Sequence, residues 1–159
     1  MLVAFHKQHR KGWVGIIDAL NRWWTKGPYT HTELVFSDGM WYSSTVQEGG
    51  CRFRRMPLDN DKWDFIEVPA TYVEEMNCRE WCGNRCTYQG RQRGYDFLGV
   101  ALSVILPMDI QDKVRDFCNE TVDKALQWIG KLKPHKANGM NPNTFFKYLI
   151  GLGFKKVEA

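Results

Sequence analysis

Thr30-His31-Thr32-Glu33-Leu34-Val35-Phe36-Ser37-Asp38-Gly39-Met40-Trp41-Tyr42-Ser43-Ser44-Thr45-Val46 is the most informative stretch of this chain. Thr32 to Phe36 and Met40 to Val46 are rich in β-branched and aromatic residues, and Ser37-Asp38-Gly39 between them is a turn signal. The stretch therefore predicts two antiparallel strands joined by a tight turn. Alternate side chains of a strand share a face, so His31 and Glu33 point the same way. An imidazole and a carboxylate thus lie on one side of one strand.

The strand pattern continues in both directions. Glu48-Gly49-Gly50 marks another turn, after which Cys51 to Met56 and Trp63 to Val68, separated by Pro57 to Asp61, extend an antiparallel meander. Upstream, Leu2 to Phe5 is a short apolar run suited to a strand. Val14, Ile17, Leu20 and Trp24 then recur at helical spacing until Gly27-Pro28 breaks the pattern.

After Pro69 the period changes to that of a helix. Thr71 to Tyr88 reads as one, with Thr71 as N-cap and Glu74 as its capping-box partner. From Val114, the positions Phe117, Cys118, Thr121, Val122, Ala125, Leu126 and Ile129 share one side of a second helix, and Gly130 stops it. Lys131 to Asn141 reads as a basic surface loop. Asn141-Pro142 opens a last helix through Ile150, ended by Gly151, and Phe154 to Val157 is suited to a final edge strand. The expectation is one α+β domain over residues 1–159, an antiparallel sheet or barrel packed against helices.

Bulk properties limit the function classes. With 159 residues, 43% hydrophobic and seven Trp, the chain has the material for one sizeable core. A net charge of +4, from 22 basic against 18 acidic residues scattered along the chain, is too mild to argue for nucleic acid as a partner. The longest apolar run, Phe97 to Leu106, is about half of what spans a bilayer, so no transmembrane segment is expected. The opening residues lack an apolar stretch long enough for a signal peptide, and five cysteines, an odd number, suggest reduced thiols. Both features predict a cytoplasmic protein.

Several residues could carry chemistry. Cys118 falls near the start of the second helix, where unsatisfied N–H groups and the helix dipole favour thiolate; by periodicity it also reads as a small buried hydrophobe. His31, borne by a strand, would be a rigid base, or else an ordinary residue at a strand start. Cys78, Cys82 and Cys86 form a stripe of thiols every fourth residue. Structural zinc usually needs a fourth ligand and closer spacing, so the stripe reads as a partly buried helix face, and no metal or other cofactor is predicted. Trp23-Trp24 and Trp41-Tyr42 could line a groove, but filling the core is the simpler reading.

Taken in order, Leu2-Val3-Ala4-Phe5, Pro28-Tyr29-Thr30-His31-Thr32-Glu33-Leu34, Tyr95-Asp96-Phe97, Phe117-Cys118-Asn119-Glu120 and Asn141-Pro142 resemble the circularly permuted NlpC-like branch of papain-fold cysteine peptidases and amidases. That resemblance covers nearly the whole chain and suggests a bacterial or phage-encoded member. It implies a permuted papain-like fold with Cys118 as nucleophile and His31 as general base. Backbone N–H groups near Cys118 would form the oxyanion hole. Glu120 matches an acid that the family carries two residues after the cysteine, although favouring the helix start is the simpler role for it.

The third residue, which should orient the histidine, departs from the family pattern. The strand after His31 reads Trp41-Tyr42-Ser43-Ser44-Thr45, where Ser43 is the nearest match by spacing; Glu33 is the other candidate, and both stay open. The implied activity is hydrolysis of a peptide or acyl substrate through an acyl-enzyme, cell-wall peptide being the family default. A papain-fold module that has lost catalysis and binds a host protein is the competing reading, and the weak third residue points toward it.

Overall fold

The computed structural model describes residues 1–7, 27–45, 50–88, 91–92, 118–135 and 140–159. The expected helix over Val14 to Trp24, the Tyr95-Asp96-Phe97 segment and the apolar run at Phe97 to Leu106 lie outside the described residues. What is described is α+β: a six-stranded antiparallel sheet and three helices.

Five strands precede the first helix: β1 (Leu2–His6), β2 (His31–Val35), β3 (Met40–Thr45), β4 (Gly50–Arg55) and β5 (Trp63–Glu67). Helix α1 (Tyr72–Cys86) follows, then a small pair, β6 (Thr87–Tyr88) and β7 (Arg91–Gln92). Helices α2 (Cys118–Trp128) and α3 (Pro142–Gly151) and strand β8 (Lys155–Val157) complete the chain.

The sheet order is β4-β3-β2-β1-β5-β8. The meander expected through β5 holds only for β2, β3 and β4. Strand β5 crosses the sheet to pair with β1, matching Leu2 to Glu67 and His6 to Trp63. The physical reason lies in the two edges on offer. Strand β4 carries exposed Arg54 and Arg55, which blunt it as an edge, whereas pairing with β1 buries Phe65, Ile66 and Val68 completely.

The three helices contribute to one core on one face of the sheet. Val3, Phe5, Leu34, Tyr42 and Ile66 meet Cys78 and Cys82 of α1, Val122, Ala125 and Leu126 of α2, and Phe145 and Leu149 of α3. Each large side chain buried there contributes roughly 1.5–3 kcal/mol relative to exposure. Alternate residues supply the opposite face, where Ala4, Val35, Trp41 and Phe65 cluster with Trp63 packed against them. Trp41 and Tyr42 are both fully buried, on opposite faces, as core filling requires.

The helix ends follow local chemistry. Thr71 and Glu74 form the reciprocal capping box, with the Glu74 N–H donating to Thr71 Oγ1 at 3.3 Å and the Thr71 N–H to Glu74 Oε2 at 2.7 Å. After α2, Gly130 takes φ +71, a left-handed conformation that lets the Lys131 N–H turn back to the Leu126 carbonyl at 2.9 Å. Asn141 caps α3 by accepting the Thr144 N–H at 3.0 Å, with Pro142 in the first turn. That helix runs to Gly151, one residue beyond the expected end.

Candidate active site

The β2–β3 ladder is short. It pairs Leu34 with Tyr42 and Val35 with Trp41. Helix α2 packs against the two strands, tied to β3 by the bond between Tyr42 Oη and Thr121 Oγ1 at 2.7 Å. Cys118 of α2 lies beside His31, Thr32 and Asn119, close enough for the imidazole and the two backbone N–H groups to act on its charge, and its thiol donates to Asn119 Oδ1 at 3.9 Å. Two residues 87 positions apart in sequence thereby meet.

The imidazole is held on its other side by two partners. His31 Nε2 lies 3.1 Å from Glu33 Oε1 and 3.2 Å from Ser43 Oγ. Ser43 Oγ also donates to the Thr32 carbonyl at 3.0 Å, linking β3 to β2. Both sequence candidates for the orienting position therefore reach the ring. Glu33 does so from the same strand, although neighbours two apart along a strand usually project in parallel.

Behind Glu33 stands Arg52 of β4, whose guanidinium donates to Glu33 Oε1 at 2.8 Å. Sequence reasoning counted Arg52 only among scattered basic residues. The signal that finds it is the β3–β4 register, which sets Arg52 directly opposite Ser43. Trp63 was also missed as a neighbour of the site. It shares a cross-strand row with His6 and His31, and its ring centroid lies 6.4 Å from that of His31.

The electrostatics oppose the ordinary cost of burial. Burial alone lowers the His31 pKa, but the Cys118 thiolate beside it and Glu33 behind it outweigh this and hold it up at about 9. For Cys118, burial raises the pKa, but the His31 charge and hydrogen bond, with the Thr32 and Asn119 N–H groups, bring it below the usual thiol range. A thiolate–imidazolium pair is the state these shifts favour.

Glu120, expected as a supporting acid, is buried and ion-paired with Lys124 one turn along α2. Outer contacts fix the two halves of the site. The Asn119 side chain donates to the Met140 carbonyl just before α3. Asn143 of α3 bonds both the N–H and the carbonyl of Tyr29, each at 2.9 Å, which anchors the approach to β2. Gly27 lies so close that a Cβ there would meet Asn143 Oδ1 at 2.2 Å.

The thiol stripe of α1 is a different environment. Cys82 bonds Cys78, and Cys86 reaches Cys51 of β4. Among the described residues no group of His, Cys, Asp and Glu side chains is arranged to hold a metal ion, and no helix is long and apolar enough to cross a membrane. No protein-family model, curated protein or solved structure matches the chain.

Proposed function

We propose that this chain is a papain-like cysteine hydrolase of the permuted NlpC-like type. The Cys118 thiolate attacks an amide or ester carbonyl, and His31 delivers its proton to the leaving group. Water, deprotonated by His31, then releases the acyl group from the sulfur. Glu33 and Ser43 share the orienting role at Nε2, and the Thr32 and Asn119 N–H groups are the candidate oxyanion donors. A peptide amide, as in cell-wall peptide, is the substrate class that the resemblance suggests. One observation carries the reading: a thiol beside an imidazole whose Nε2 is held by a carboxylate and a hydroxyl.

A second reading has its own support. Cys118 is only 6% exposed and His31 7%, as in a module that keeps the fold for binding a host protein. Mass-spectrometric mapping of iodoacetamide labelling at pH 6 separates the two. An enzyme's Cys118 should label at least about tenfold faster than Cys51, Cys78, Cys82 or Cys86. Labelling of Cys118 no faster than Cys78 or Cys82 leaves the binding module.

A further inference from the structure

Glu33 is 2% exposed, so its charge must be balanced by protein groups. Among the described residues, two positively charged or chargeable groups touch it, and both touch the same oxygen: His31 Nε2 at 3.1 Å and the Arg52 guanidinium at 2.8 Å. The other oxygen, Oε2, is buried with no hydrogen-bond partner among the described residues. The carboxylate is thus committed through one atom to a line running from Arg52 to Glu33 to His31 to Cys118.

Resting on the hydrolase reading above, we propose that Arg52 is a positioning residue that clamps Glu33 against His31 and so sustains the thiolate–imidazolium pair one step further on. Strand register makes this a built arrangement. Arg52 is paired across β3–β4 with Ser43, so the two residues flanking the ring from behind come from one cross-strand pair. The side chain of Arg52 is itself mostly buried, at 11% exposure, which makes it a fixed partner rather than a swinging surface cation.

Two effects of removing Arg52 oppose each other, and their distances decide between them. The guanidinium's repulsion of a charged His31 acts across the intervening carboxylate. Loss of the clamp acts on a contact of 3.1 Å between carboxylate and ring. The nearer effect dominates, so His31 should lose its hold on a proton and Cys118 should become a more ordinary thiol. Lysine should serve nearly as well as arginine, because one guanidinium N–H, that of Nη2, makes the 2.8 Å contact to Glu33 Oε1.

The test is the pH profile of Cys118 alkylation by iodoacetamide, resolved by peptide mass spectrometry on the full chain. Arg52→Gln should raise the midpoint by about one pH unit, an approximately tenfold loss of rate on the acid side. Arg52→Lys should restore it. Glu33→Gln should give a shift of similar size, and Arg52→Gln added to Glu33→Gln should shift it no further. Arg52→Met preserves much of the stem's packing and takes the place of a Gln variant that does not fold. An unshifted midpoint, or a shift that adds to that of Glu33→Gln, overturns the role of Arg52 while leaving the hydrolase reading intact. A wild-type Cys118 that titrates as an ordinary thiol removes the hydrolase reading itself.

Discussion

Cys118 and the thiols facing α1 are the same functional group in two settings. Cys118 meets an imidazole and two backbone N–H donors, and its pKa falls despite burial. Cys82 is buried against Cys78 in an apolar core, where burial first and the neighbouring thiols second push its pKa well up. For Cys86 the hydrogen bond to Cys51 comes first and burial second, with the same upward result. Tyr42 stands between the two settings, bonding Thr121 of α2 and, at 3.7 Å, Cys51. Burial is common to both groups, so it does not decide reactivity. What decides it is whether the buried neighbours can meet a negative charge.

The largest expected effect erases the contrast. His31→Ala removes the cation beside the sulfur, and the rate of Cys118 alkylation at pH 6 should fall on the order of 100-fold, toward that of Cys82. Peptide-resolved labelling checks it, and a variant whose Cys118 still outpaces Cys82 tenfold breaks the comparison.

A smaller effect concerns stability against pH. His31, with its pKa raised, contributes stability that is complete below its ordinary 6.5 and lost as pH rises through about 9. Cys118, with its pKa lowered, contributes stability that is complete above its ordinary 9.0 and lost as pH falls through its folded value. Above 6.5 and above the folded Cys118 pKa, up to 9.0, the two slopes oppose and cancel, because the pair then holds one proton in both the folded and unfolded chains. Urea denaturation at several pH values should therefore show a level stability difference between wild type and the His31→Gln, Cys118→Ser double variant over that interval. A difference that climbs or falls steadily means that only one of the two groups is shifted.

The smallest effect sharpens the boundary between the settings. Tyr42→Phe leaves Thr121 Oγ1 without the hydroxyl that it meets at 2.7 Å, at a cost of about 1.5 kcal/mol. Cys118 alkylation should keep its wild-type midpoint, since Tyr42 touches neither the sulfur nor the ring. A moved midpoint would show that the core and the site are not independent.

Much of this architecture was legible before any coordinates. Alternation around Ser37-Asp38-Gly39 located β2 and β3, the Thr71 and Glu74 pair located the start of α1, and Asn141-Pro142 located the start of α3. These are local signals, each set by backbone preferences within a few residues. The route of β5 was not legible, because a strand's pattern says which faces it buries but not which free edge it will join. Ser43 and Glu33 were both visible as candidates. Choosing between them needed the bend of one ring, and the structure brings both to it.

By itself the sequence determined the kinds of element and their order, because periodicity, caps and turns are short-range; Cys118 and His31 stood out through the family resemblance. Tertiary structure alone decided that α2 packs against β3, that Cys118 lies beside His31, and that Arg52 stands behind Glu33. Each of those is a meeting of elements distant in the chain. Distance and direction between such elements are set by how the whole core packs, which no local pattern encodes.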